Sequence, residues 1–210
     1  MHFFFGISNE NFKSEIQIPI FKHTALKTNH FELYKLYPEH NKWIIKKSEI
    51  SKKDELFYLL KDKDIANHEI YFLATEKQIK NFNNQEIINF NDLKVRANLK
   101  IYIQDKGFSS YQSDYPYEMT TSKNSNVVAS INSLANKYAD KNFIFFKNII
   151  SDPKIDEFEG YFVNYEKKKI EKKFILKTNY SNCIEIERQF IKPEIFFVAK
   201  NYVGIPVFIS

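Results

Sequence analysis

The sequence predicts an α+β protein dominated by antiparallel strands, with two packed sheets as one arrangement. It also predicts one main amphipathic helix over 126–139 and one or two shorter helices. Three observations predict this class. Short runs rich in β-branched and aromatic residues recur along all 210 residues, the composition that a pleated, half-buried surface favours. Only three stretches show helical spacing, and they do not alternate with the strands one for one, which disfavours a doubly wound α/β fold. Residues 151–210 carry strand patterns throughout.

The elements follow in order. Residues 3–7 read as a strand. Residues 15–21 alternate through Ile16, Ile18 and Ile20, and Pro19 marks that strand as short or at an edge, because it has no N–H to donate. Strands at 31–36 and 43–47 flank Tyr37-Pro38-Glu39-His40-Asn41, a hairpin connection. A helix over 52–61 has Leu56, Phe57 and Leu60 on one side, after Ser51-Lys52-Lys53-Asp54 with capping-box spacing. A strand at 69–74 precedes a second cap, Thr75-Glu76-Lys77-Gln78, and a short helix with Ile79 and Phe82. The strictest alternation runs over 94–104: Val95, Ala97, Leu99, Ile101 and Ile103 on one face, polar residues and Tyr102 on the other. Over 126–139, Val127, Val128, Ile131, Leu134, Ala135 and Tyr138 form a stripe of period 3.6, with Asn124 or Ser125 as the cap. Strands at 143–150, 161–165, 174–178, 184–188, 195–199 and 203–209 complete the chain. A single domain over 1–210 is expected, with a weak subdivision near Asp152-Pro153.

Composition excludes several classes. One cysteine, Cys183, excludes a disulfide scaffold and multi-cysteine metal sites; at a strand start with no adjacent activating partner, it reads as a small buried hydrophobe. The four glycines are isolated, so neither a glycine-rich phosphate cradle nor a G-x-S-x-G elbow is present. His2, His23, His30, His40 and His68 have no recognised metal spacing. No cofactor and no metal is expected. The net charge of +5 comes from lysine, with only Arg96 and Arg188 as arginines, and it is spread along the chain. Arginine forks grip phosphates and bases better than lysine does, so nucleic acid is disfavoured as a partner. No run is long enough for a membrane helix and no signal-peptide pattern opens the chain, so a cytoplasmic protein without a membrane partner is expected. Asn179-Tyr180-Ser181 matches a glycosylation acceptor, a pattern common by chance. Twenty-one asparagines accompany the lysines, whether from genome bias or from selection.

Chemistry concentrates in the irregular segment 108–125. Tyr111, Tyr115 and Tyr117 can present rings to a sugar or a base, or anchor the loop by burying them. Asp114 and Glu118 are the candidate acid–base pair. Lys123, Asn124 and Ser125 at the expected helix start can receive an anion. Two surfaces are candidate anion sites. One is the wet face of the 94–104 strand with Lys94, Arg96 and Lys100. The other is the run Lys167, Lys168, Lys169, Lys172 and Lys173, which reads as a hairpin tip or exposed ribbon. Lysines on such a ribbon also keep a strand edge from associating.

Three functions follow. The first is a β-rich binding or assembly protein that recognises a carbohydrate, an acidic polymer or a protein through the 108–125 loop. The second is an enzyme acting on a sugar or nucleotide-sugar through Asp114 and Glu118, with an anion site at Lys123. The third is a nucleic-acid-associated protein using the 167–177 lysines. Whether any catalysis occurs, and in what oligomeric state, stays open at this point.

Overall fold

The computed structural model describes residues 3–7, 9–20, 31–49, 52–53, 56–80, 97–102, 108–112, 126–201 and 204–210. The fold is mixed α+β, with antiparallel sheets and few short helices. It divides into two compact units, Met1–Met119 and Thr120–Ser210. Asp152 falls inside the second.

In the first unit the strands are β1 (Lys13–Pro19), β2 (Glu32–Glu39), β3 (Lys42–Lys47), β4 (Lys52–Lys53), β5 (Phe57–Lys61), β6 (Ile70–Ala74), β7 (Asn98–Tyr102) and β8 (Phe108–Gln112). They form a five-stranded sheet, order β4-β5-β1-β7-β8, and a three-stranded sheet, order β3-β2-β6. β1 is internal, not an edge, and Pro19 is its last residue, where a missing N–H interrupts the ladder least. Among the described residues the β7 pairing of β1 covers Lys13 to Gln17, and Pro19 sits opposite Phe57 on β5. The β2–β3 hairpin turns at His40 and Asn41, with φ of 49° and 58°, the left-handed pair that a two-residue hairpin requires.

The expected helix over 52–61 is instead β4 and β5. Tyr58 and Leu60 are fully buried opposite Ile18 and Ile16, so a period of two, supported by cross-strand partners, overrides the apolar side of a helix. The second cap is present. In α1 (Glu76–Lys80), Gln78 N donates to Thr75 Oγ1 at 3.2 Å while Thr75 N donates to Gln78 Oε1 at 2.8 Å. β7 alternates as expected, with Leu99 and Ile101 buried.

The second unit comprises β9 (Val127–Ser130), α2 (Ile131–Leu134), β10 (Phe143–Lys147), β11 (Glu157–Asn164), β12 (Lys169–Lys177), β13 (Ser181–Glu185), β14 (Ile195–Ala199) and β15 (Ile205–Ile209). Its sheets are β12-β11-β14-β9 and β13-β10-β15. The helix expected over 126–139 is therefore corrected to a strand followed by one helical turn. Val127 and Val128 are β-branched and pair with Ala199 and Val198, which extends the sheet. The turn starts only at Ser130, whose Oγ accepts from Ser133 N at 3.3 Å. It is closed by Asn142, whose Nδ2 donates to the Asn136 carbonyl at 2.9 Å and whose Oδ1 accepts from Asn136 N at 2.8 Å. Leu134 and Tyr138, on the expected buried stripe, are 51% and 81% exposed.

The core of this unit draws on both sheets: Phe158, Phe162, Leu176 and Phe197 meet Ile144, Phe146 and Ile184. Phe146 lies edge-on to Phe197 at 5.5 Å between ring centroids, an arrangement favoured by the ring quadrupoles. Gly204 permits close approach, since a Cβ there would lie 2.5 Å from Phe146 Cζ and 2.8 Å from the Lys147 carbonyl.

Candidate functional site

Most of the 108–125 candidates lie outside the described residues: Asp114, Tyr115, Tyr117, Glu118, Lys123, Asn124 and Ser125. Tyr111 occupies a backbone position on β8 opposite Leu99. Lys94 and Arg96 also lie outside the described residues. Lys100 sits on β7 with its Nζ 3.9 Å from Glu15 Oε1.

The lysine run is a hairpin, as its spacing implies. Lys167 and Lys168 form the exposed turn, with Lys168 at φ 50°, and Lys169, Lys172 and Lys173 lie on β12, which is an edge strand. Lys172 and Lys173 are consecutive, so strand alternation sends them to opposite sides of the sheet, and a register shift between Phe162 and Val163 sets Lys169 opposite Asn164. Lys172 sits opposite Phe162, on the core side. Its ammonium lies 5.4 Å from the Phe174 ring centroid and 5.7 Å from that of Phe190, and it bonds Glu187 Oε1 at 2.5 Å. Lys173 sits opposite Tyr161, on the outward side, and pairs with Glu159, which also accepts from the Tyr161 hydroxyl. Lys169 pairs with Glu171 at 3.4 Å. Hydrogen bonds from Lys173 and then Tyr161 hold the Glu159 carboxyl below its ordinary value; those from Lys172 and Gln189 do the same for Glu187. Three of the five run lysines are thus neutralised locally. Lys167 and Lys168 have no carboxylate partner among the described residues.

The outward side of the β12-β11-β14-β9 sheet was not singled out from sequence. Phe158, Phe162 and Phe197 point into the core, so the alternate positions point away from it. Those positions are also apolar. Ile170, Val163 and Phe196 stand side by side across three strands, and Tyr161, Val198 and Val128 form the next row. Ile170 and Val128 are each 53% exposed; Val163, Tyr161, Phe196 and Val198 are half-buried. Tyr165, 50% exposed, packs edge-on against Phe196 at 4.8 Å. The sequence signal for this surface is the continuous apolar character of 161–163 and 195–199, where a sheet with one wet face would alternate.

Other polar clusters are accounted for by local structure. In the first unit, buried Glu69 accepts from Lys35 Nζ at 2.7 Å and from the Tyr71 hydroxyl at 2.8 Å. Burial first, and Glu69 second, push the Tyr71 hydroxyl well above its ordinary value. In the second unit, Asn179 is buried, and its Nδ2 donates to the carbonyls of Asp152 and Lys154, both at 2.9 Å. The acceptor pattern at Asn179 is therefore closed in the folded chain. Cys183 is exposed, which corrects the expectation of a buried thiol: it lies on β13, the outer strand in the order β13-β10-β15. Among the described residues, no group of three or more His, Cys, Asp or Glu side chains is placed to hold a metal. Among the described residues, no helix is long and apolar enough to cross a membrane.

Comparison with known proteins finds no family model that matches the chain, no matching curated protein and no matching solved structure.

Proposed function

We propose that the chain is a binding or assembly protein whose second unit docks another protein on the outward side of the β12-β11-β14-β9 sheet. One observation carries this reading: the two adjacent apolar rows, Ile170–Val163–Phe196 and Tyr161–Val198–Val128, on the side of the sheet that the core does not use. Contiguous exposed apolar surface of this kind marks interaction sites. Aromatic anchors such as Tyr165 and Phe196 are the residues on which binding energy concentrates. The lysine ribbon supports the same reading over nucleic-acid association, because Lys169, Lys172 and Lys173 are engaged by carboxylates. Recognition of a sugar through 108–125, and sugar chemistry at Asp114 and Glu118, rest on residues outside those described.

The test is site-specific photo-crosslinking in the native host. A benzophenone side chain at Val128, Ile170 or Ile175 should yield discrete adducts, and one at Glu185 or Lys192, exposed elsewhere on the unit, should not. Equal labelling at both sets, or none at the first, refutes the reading.

A further inference from the structure

The apolar rows are not large enough to hold a partner alone, and what adjoins them specifies the partner's chemistry. Four strands at about 4.8 Å spacing and a β11 of eight residues at about 3.3 Å each give a plan area of roughly 500 Å². A stable interface needs about 800 Å² from each side. The partner must therefore reach beyond the rows. Towards Glu157 the sheet becomes charged and internally paired: Glu159 with Lys173, and Glu157 opposite Lys177. Towards the turn, the rows run directly through Tyr165 and Ile170 into Glu166–Lys169, which is exposed throughout. The hairpin from 157 to 177 carries six lysines against four glutamates, and Lys167 and Lys168 have no ion-pair partner among the described residues.

We propose that the occupant of this surface is an amphipathic helix of a partner protein: an apolar stripe on the two rows, and acidic residues at the end that meets Lys167 and Lys168. This rests on the docking reading above and adds the partner's charge and shape. A helix is the economical cover for one side of a sheet, and among the described residues this unit has only the single α-helical turn Ile131–Leu134. A second copy of the chain fits less well. It would bring the same net-positive hairpin to the contact, like against like. A membrane fits less well too, because Tyr161, Val163, Phe196 and Val198 are half-buried on the strands, which leaves little free apolar area to insert.

The experiment uses the full chain, isotope-labelled, with three synthetic helices of about 18 residues, five turns. They share one leucine and isoleucine stripe and differ in carrying glutamate, glutamine or lysine on the flank. The glutamate peptide should perturb the amides of β11, β14 and the 165–170 turn, and bind more tightly than the glutamine peptide. Its affinity should fall about tenfold in the K167E/K168E variant, and by a similar factor between about 50 and 200 mM salt. Both substitutions are on an exposed turn, and an unchanged melting temperature shows the fold intact. If the lysine or glutamine peptide binds that surface as well as the glutamate one, the acidic partner is wrong and the docking surface survives. If no peptide perturbs that surface, the acidic helix is wrong, and if crosslinking at Ile170 is also blank, the docking reading falls with it. If the peptides leave it untouched while a single-stranded RNA or an anionic vesicle perturbs the same amides, the partner is not a protein helix.

Discussion

In the first unit the buried fastenings are ionic, phenolic and hydroxylic: Lys35 and Tyr71 converge on Glu69, the Tyr58 hydroxyl donates to the Phe31 carbonyl, and Ser14 Oγ bonds both the N–H and the carbonyl of Ile7. Burial pushes the Tyr58 hydroxyl up to about 12. In the second unit amides predominate, beside the hydroxyl of Thr178 and the buried Lys147, whose Nζ donates to Ser181 Oγ at 3.3 Å. Asn179 accepts from Ile150 N at 2.9 Å and donates to two carbonyls, while Asn182 accepts from Lys177 N at 2.8 Å and donates to the carbonyls of Phe146, Lys177 and Tyr180. An amide donates and accepts at once and carries no charge to desolvate, so a neutral fastening suits loops packed between two sheets. The units also differ at the surface. Of the eight exposed large hydrophobics among the described residues, only Leu56 belongs to the first. The second unit thus relies mainly on amides inside and carries seven of those eight exposed hydrophobics.

The sharpest test of this contrast is Asn179→Ala. It leaves the N–H of Ile150 without its side-chain partner, removes one of two donors from each of the Asp152 and Lys154 carbonyls, which keep Lys154 N and Thr178 Oγ1, and places alanine at φ 50°. A loss of about 3 kcal/mol or more is expected in urea unfolding. Asn179→Gly should recover about 1 kcal/mol of that, because the backbone strain is relieved and the bonds are not. If alanine costs less than about 1 kcal/mol, the amide network is decoration and the contrast fails.

Glu69→Ala is the matching change in the first unit. Its carboxylate is buried, but Lys35 is 31% exposed and can turn to water, so about 2 kcal/mol is expected, below the loss for a fully buried pair. Lys35→Met should cost less than Glu69→Ala, since the Tyr71 hydroxyl still satisfies the carboxylate. The reverse order, read from the same unfolding curves, would place the weight on the ion pair instead.

Val128→Thr with Ile170→Thr addresses the surface half of the contrast. Both side chains are more than half exposed, so stability should move by no more than about 0.5 kcal/mol while crosslinking at that side of the sheet is lost. A large drop in melting temperature would show that these residues serve the fold.

How much of this was legible in the sequence varies with the kind of signal. Alternation with a partner in reach was readable: Leu99 and Ile101 on β7 and Ile16 and Ile18 on β1 stand where the pattern puts them, while the expected 37–41 connection shortens to a His40-Asn41 turn because Tyr37, Pro38 and Glu39 extend β2. The cap at Thr75 was readable because both halves of the box are local. The two longer helices were not. Val127, Val128, Ile131 and Leu134 satisfy a helical period as well as β9 and one turn do, and the choice was made by β14, some seventy residues away, which needed a neighbour. The candidate surface was missed because apolar residues on both sides of a strand read as deep burial, and nothing local says which side the core takes. The asparagines were legible as an excess; their work was not, since it depends on which distant carbonyls come within reach.

The smallest expected effect concerns acid. Glu159 and Glu187 are held below their ordinary value of 4.5 in the folded chain by Lys173 and Lys172. A carboxylate depressed in the folded state contributes stability that is present above its unfolded value and is lost as pH falls through the folded one. The double variant E159Q/E187Q removes that contribution. It should be slightly less stable than the parent at neutral pH, and the gap should close as pH falls below about 4.5. Added salt should shrink the gap, because both pairs lie at the surface. The asparagine fastenings do not titrate, so they drop out of this difference. A gap that persists below about pH 3 would mean that the glutamates act through packing or hydrogen bonds that survive protonation. The neutral fastening of the second unit would then extend to its hairpin as well.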